Sequence, residues 1–171
     1  MPAPCGPVGS RDRSDSHAAT SKSSNRVSKS SAPSLKLQAH LIHFLQQVIP
    51  VADSVGSVMS IHPDDPPFSI LGLPRVVSTA KDIELLINAV PSLANGLCFC
   101  TGSYGVIASN NLPAMVRQFA DRIHFIHLRS TRRNEWGDFY EDNHLEGDVD
   151  MYAVIKELVN AMQKRKCSIP V

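Results

Sequence analysis

Apolar residues recur at intervals of three and four along several stretches of the chain, and this spacing predicts amphipathic helices. The stripes are Leu37, Leu41, Phe44, Leu45 and Val48; Ile83, Leu86, Ile87 and Val90; Leu112, Met115, Val116 and Phe119; and Met151, Val154, Ile155, Leu158 and Met162. Residues that favour helix N-termini precede the last three stripes: Thr79 with Asp82, Asn111, and Asp148 or Asp150. We expect Pro50 with Gly56 to end the first helix or its tail.

Short apolar runs lie between these helical stripes and predict strands. They are Val58–Ile61, Leu97–Cys100 and Ile123–Leu128, and Cys167–Val171 has the pattern of the start of a fourth strand. A polar loop is expected from Arg129 to about Gly147. Strands that alternate with helices in this way pair in parallel through right-handed crossovers.

Two architectures fit this alternation, a doubly wound sheet and a piece of a (β/α)₈ barrel. No glycine-rich phosphate-binding turn follows the first strand, because His62, Pro63, Asp64 and Asp65 stand there. This disfavours the nucleotide-binding fold. A complete barrel needs roughly 250 residues, so about four strands with their helices indicate a partial barrel.

Residues 1–34 differ in composition from the rest of the chain. They contain ten serines and no aromatic residue, so they cannot bury enough surface to offset the entropy of folding. We expect a disordered tail over 1–34 and a partial barrel domain over 35–171. The net charge of +1 gives no reason to expect nucleic acid or an acidic membrane as a partner. The cysteines do not suggest a disulfide framework, and a cytoplasmic location fits.

Three predicted strands end in residues that bind metals: His62, Cys100 and His127. Each alone is weak evidence, because a strand histidine or cysteine is usually a packing residue. However, the carboxyl ends of parallel strands meet at one face, so these side chains could converge. Two imidazoles and a thiolate would ordinarily suggest zinc or another borderline transition metal. We expect His124 to pack or to support the site.

Several longer strings make the chain recognisable. They are Ile61-His62-Pro63-Asp64-Asp65-Pro66-Pro67, Gly72-Leu73-Pro74-Arg75, Phe99-Cys100-Thr101-Gly102-Ser103, His124-Phe125-Ile126-His127-Leu128-Arg129 and Gly147-Asp148-Val149-Asp150-Met151-Tyr152. In this order and spacing they resemble mannonate dehydratase, from about Leu35 to Val171. The His-Pro-Asp-Asp-Pro-Pro string is the most specific of them.

The resemblance implies a metal-dependent barrel of the xylose-isomerase type. It implies dehydration of D-mannonate to 2-dehydro-3-deoxy-D-gluconate in glucuronate catabolism, with Mn²⁺ or Fe²⁺ held by His62, Cys100 and His127. Arg129 and Arg75 are the candidates for binding the substrate carboxylate, and a solvated or structural arginine is an equal alternative for each. Asp64 and Asp65 could support the site or face the substrate, and capping of a turn is at least as good an interpretation.

The sequence also departs from the family. The family's fourth ligand is an aspartate in an Arg-Pro-Asp-His-Gly motif, and it and the acid/base residues would lie beyond Val171. We therefore expect this chain alone to be inactive, or nearly so. A non-catalytic remnant that binds metal or associates with another barrel fragment is the alternative, and a homo-oligomer is conceivable because an open half-barrel exposes sheet edges. A different metal enzyme on the same barrel, such as a sugar isomerase or abasic-site endonuclease, is disfavoured because no strand here ends in a carboxylate.

Overall fold

The computed structural model describes residues 31–171. The tail expected over residues 1–34 therefore lies outside the described residues, except for its last four, which form the first turn of helix α1. The helices are α1 (Ser31–Ser54), α2 (Ala80–Ala89), α3 (Thr101–Gly105), α4 (Leu112–Phe119) and α5 (Met151–Arg165), with a 3₁₀ turn at Ala120–Arg122. The strands are β1 (Met59–Ile61), β2 (Asn95–Cys100), β3 (Ile123–His127), β4 (Ser130–Arg133) and β5 (Phe139–Asp142).

Helix starts follow the predicted caps. Thr79 and Asp82 form a reciprocal capping box at α2, Asn111 accepts from the Ala114 amide at α4, and Asp150 caps α5. Helix α1 continues through Pro50 and ends at Ser54, between the two residues, Pro50 and Gly56, that we expected to end it. Leu45 and Ile49 are almost fully buried beside this proline, and packing of that face outweighs the lost hydrogen bond.

Strands β1, β2 and β3 form a parallel sheet in that order. The register pairs Ile61 with Leu97 and Cys100 with His127. It shifts by one residue between Leu97 and Cys98, where β3 carries the extra residue His124. Because the strands are parallel, their carboxyl ends lie at a single edge of the sheet.

The expected fourth strand is not formed as a strand. The Ile126 amide donates to the Pro170 carbonyl at 2.8 Å, so residues 167–171 approach the outer edge of β3. The ladder goes no further at this point because proline has no N–H to return. The region expected to be a polar loop also contains more structure than predicted, since β4 and β5 form an antiparallel hairpin.

Apolar side chains pack against the parallel sheet in two clusters. In the first, α4 and α5 pack with β2 and β3 around Phe99, Val116, Ile126 and Val154. In the second, α1 and α2 pack around Leu45, Ile49, Val77 and Leu86, with Ile61 of β1 against them. Within residues 31–171, no helix is both long and apolar enough to cross a membrane.

Candidate metal centre

Three side chains that can bind metals meet at the carboxyl ends of β1, β2 and β3. Cys100 ends β2 and is in register with His127, which ends β3, while His62 directly follows β1. One ligand atom of each residue lies within 4.8 Å of the other two. The structure therefore brings together the three residues that the sequence predicts as ligands. Cys100 is fully buried, whereas both histidines reach solvent.

The hydrogen bonding of His62 prepares one of its nitrogens for a metal. Its Nδ1 lies 2.7 Å from the Pro63 carbonyl oxygen, and a carbonyl can only accept, so Nδ1 carries the proton. In the neutral ring, Nε2 then has a free lone pair. Metal-binding histidines commonly donate their other ring N–H to a backbone carbonyl in this way. The Nε2 atom faces Nδ1 of His127 at 3.5 Å.

Cys100 is surrounded by groups that favour a thiolate. Burial by itself raises the pKa of the thiol, but hydrogen bonds from His62 and Ser103 and the charge of Arg129 more than offset this and lower the pKa. The same bond to Cys100 is the main reason that the pKa of His62 is raised. Burial, with Arg129 and His62 nearby, lowers the pKa of His127. The neighbouring Cys98 behaves differently, because burial raises its pKa to about 11.

These donors fit a divalent transition metal. Two nitrogens that each lie about 2.1 Å from one ion at a roughly tetrahedral angle would be about 3.4 Å apart, close to the 3.5 Å between His62 and His127. An imidazole lone pair and a thiolate are the forms in which these residues bind metals. The residues present could therefore hold such an ion.

The two aspartates of the turn after His62 have different partners. Asp64 Oδ2 accepts from the amides of Val76 and Val77, both at 2.7 Å, and so ties the following loop to the turn. Asp65 instead forms an ion pair with Arg129, with Oδ2 and Nη2 2.7 Å apart. Asp64 thus links the turn to a segment 12 to 14 residues further along, while Asp65 adjoins the candidate centre through Arg129.

The two arginines predicted to bind substrate lie in different surroundings. Arg129 follows β3, and its side chain is 17 % exposed beside the three candidate ligands. Arg75 directly precedes Val76 in the loop held by Asp64, and its Nε is buried without a hydrogen-bond partner in the part of the chain that the structure describes. Of the two, Arg129 is the one linked to the ligand-bearing segments.

Sequence reasoning missed two residues that surround Cys100. Ser103 is fully buried and donates from Oγ to Cys100 Sγ at 3.2 Å. Thr101 accepts from the Arg129 amide and donates to its carbonyl. Both belong to the Cys-Thr-Gly-Ser string, but both also bond Arg129, which lies 28 residues after Thr101 and 26 after Ser103 and was not visible in the local pattern.

His124 packs away from the candidate ligands, as expected. Its Nε2 lies 2.8 Å from the Leu93 carbonyl oxygen, and a side chain at Gly96 would overlap its ring. Glycine at position 96 is therefore required by the close approach of the ring.

Comparison with known proteins points to one family. The family model described as D-mannonate dehydratase (UxuA) matches residues 24–169. Mannonate dehydratase of Rhizobium meliloti is 54 % identical over 136 residues, which are 78 % of this chain and 34 % of that protein. The enzyme of Saccharophagus degradans is 51 % identical over 137 residues, 77 % of this chain and 34 % of that protein.

Solved structures give the same result. The crystal structure of mannonate dehydratase from Streptococcus suis is 37 % identical, with a TM-score of 0.73 over 80 % of this chain and 39 % of that one. A xylose isomerase domain protein from Planctomyces limnophilus, 17 % identical with a TM-score of 0.58 over 85 % of this chain and 47 % of that one, shares the fold. The α/β fold is thus that of part of a xylose-isomerase-like TIM barrel.

The chain spans about a third of the length of the curated relatives that it matches. The match nevertheless covers most of the chain and includes all three candidate ligands. This chain belongs to the D-mannonate dehydratase family.

Proposed function

We propose that His62, Cys100 and His127 hold Mn²⁺ or Fe²⁺ and that this centre serves the dehydration of D-mannonate to 2-dehydro-3-deoxy-D-gluconate. The observation that carries the proposal is the convergence of three donor atoms from three separate strand ends within 4.8 Å. Relatives at 51–54 % identity are named mannonate dehydratase. The choice of Mn²⁺ or Fe²⁺ comes from the family resemblance, because imidazole and thiolate ligands suit zinc equally well.

The reaction must remove a proton α to a carboxylate and expel a β-hydroxyl, so negative charge builds on substrate oxygens. A bound divalent metal supplies Lewis-acid stabilisation of that charge, worth several kcal/mol. The protein's contribution is to hold the donors ready. The Pro63 carbonyl keeps the proton of His62 on Nδ1, and Ser103 directs its hydrogen bonds at the sulfur of Cys100.

We propose that Arg129 recognises the substrate carboxylate. Asp65 and Ser103 occupy the two N–H groups of Nη2, so a carboxylate would meet Nη1. The Arg129 charge acts on both Cys100 and His127, so a carboxylate at Nη1 would lie near the candidate ligands. Arg75 is the second candidate, and its buried Nε has no hydrogen-bond partner among the described residues.

Metal titration tests the site. We expect the chain to bind Mn²⁺, Fe²⁺ or the spectroscopic substitute Co²⁺, and Cys100→Ser to weaken binding by at least tenfold. Cys98→Ser is the matched control because Cys98 lies two residues away in the same strand but outside the donor cluster. Equal affinities in the wild type and Cys100→Ser would refute the site.

Substrate is tested separately. D-Mannonate should change the spectrum of the Co²⁺-loaded chain, whereas its C2 epimer D-gluconate should change it less. Replacement of Arg129 by Met should remove this response, measured at a Co²⁺ concentration that saturates the variant. The same incubation, with Mn²⁺ or Fe²⁺, checks whether keto-deoxy product forms; we expect none above background from this chain alone, and clear turnover would overturn that expectation.

A further inference from the structure

A chain of hydrogen bonds connects the loop after β1 to the sulfur of Cys100. Asp65 Oδ2 accepts from Arg129 Nη2 at 2.7 Å, and the same nitrogen donates to Ser103 Oγ at 3.2 Å. Ser103 Oγ in turn donates to Cys100 Sγ at 3.2 Å. These residues come from the segments that follow β1, β2 and β3. The hydrogen-bond network therefore touches every segment that carries a candidate ligand.

The chemistry of the groups fixes which one donates in each of these hydrogen bonds. A guanidinium group can only donate, so the Ser103 hydroxyl must accept from Arg129. Its single hydrogen is then left for Cys100 Sγ. The Ser103 amide also points at the sulfur, at 3.4 Å. Two donors from Ser103 therefore meet Sγ, and the sulfur acts as an acceptor.

The backbone after Cys100 is shaped to seat Arg129. Thr101 bonds both the amide and the carbonyl of Arg129, at 2.8 and 2.7 Å. A Cβ at Gly102 would overlap Arg129 Nε, so only glycine leaves room for the guanidinium. Ser103 then accepts from Nη2. Each residue of the Thr-Gly-Ser string has a separate contact with the same arginine.

We infer that Ser103, oriented by Arg129 and Asp65, is a positioning residue that aims Cys100 Sγ at the metal and tempers its electron donation. The inference rests on the proposed metal function of Cys100. It assigns to the Thr-Gly-Ser string after Cys100 and to Asp65 a task distinct from holding the metal. It also makes Arg129 an organiser of the centre in addition to its proposed contact with substrate.

Ser103→Ala tests the inference with Co²⁺ as the probe. Loss of a neighbouring hydrogen bond should weaken Co²⁺ binding by about 10- to 100-fold. It should also shift the thiolate-to-Co²⁺ charge-transfer band to longer wavelength, because a sulfur without that bond donates electrons more readily. A role in packing alone would not move the band. Ser130→Ala is the matched control, since Ser130 is equally buried and its Oγ has no hydrogen-bond partner in the described residues.

The outcomes separate this inference from the proposed function. A charge-transfer band that Cys100→Ser abolishes, together with an unmoved band and affinity in Ser103→Ala, would overturn the inference alone. Absence of any such band in the wild type would refute the metal role of Cys100 instead. If Ser103→Ala does not fold, Asp65→Ala tests the inference instead. Asp65 lies on the loop and its side chain is about one-third exposed, so its replacement disturbs the fold less. It should shift the band in the same direction by a smaller amount, and an unchanged band would overturn the inference.

Discussion

Asp64→Ala should unfold the loop that follows His62 at a large cost in stability. The Asp64 carboxylate accepts from the amides of Val76 and Val77, each at 2.7 Å, and from the Ser78 hydroxyl at 3.3 Å. Val76 and Val77 are only 6 % and 4 % exposed. Removal of the carboxylate would therefore leave two buried N–H groups without their acceptor.

The magnitude follows from those two amides. An unsatisfied buried donor costs about 1–3 kcal/mol, so the pair should cost about 4 kcal/mol of unfolding free energy. The Ser78 hydroxyl can rotate to another acceptor and adds little. Asp64→Asn keeps an acceptor oxygen and loses only the charge assistance, about 1 kcal/mol for each bond, so its cost should be near 2 kcal/mol.

Urea unfolding followed by circular dichroism measures both losses. Asp53→Ala serves as the matched control, because Asp53 is exposed and accepts only a surface bond from Ser92; its cost should stay within about 0.5 kcal/mol. A loss below about 1 kcal/mol for Asp64→Ala, at an unchanged m-value, would refute the reasoning. It would mean that the loop relaxes until water satisfies both amides.

Gly96→Ala should destabilise the fold by about 1–3 kcal/mol or more, since its Cβ would overlap the His124 ring and a backbone oxygen; an unchanged urea midpoint would show that the ring can move aside. Burial, together with Arg165 and Arg122, lowers the pKa of His124, so the folded state prefers the neutral ring. This stabilisation is complete above the ordinary value of about 6.5 and is lost as the pH falls through the lowered value. His124→Asn should therefore shrink the difference in unfolding free energy between about pH 7.5 and about pH 5, and an equal difference would contradict the assignment. Metal at about 100 times its Kd should raise the unfolding free energy of the wild type by about 2.7 kcal/mol; thermal unfolding should show most of that gain missing in Cys100→Ser at the same concentration, and equal gains would remove Cys100 from the site.

The parts of the fold that depend on local pattern were predictable. The Thr79 capping box and the apolar runs of β2 and β3 can each be predicted from a few neighbouring residues, and the structure confirms them. Convergence of the candidate ligands was also predictable, because parallel pairing brings carboxyl ends together whatever lies between them.

Features that depend on distant partners were not predictable from pattern. The β4–β5 hairpin was interpreted as loop because Ser130 and Thr131, although buried, are polar and give no apolar alternation. Its turn at Trp136 and Gly137 lies among charged residues that equally suit a loop. Likewise, nothing near Asp65 in the sequence indicates that its partner is Arg129.

The extra residue in β3 divides that strand into two parts with different structural roles. A register shift of one residue ordinarily moves every following side chain to the opposite face of the sheet. Here the shift lies between Leu97 and Cys98, where His124 is the extra residue of β3, and the pairing is regular again from Cys98 to the end of the strand. The first part of β3 can thus serve packing against Gly96, while the last part keeps His127 level with Cys100. We therefore expect substitutions at the amino end, such as those at Gly96, to change the stability of the sheet more than the register that pairs Cys100 with His127.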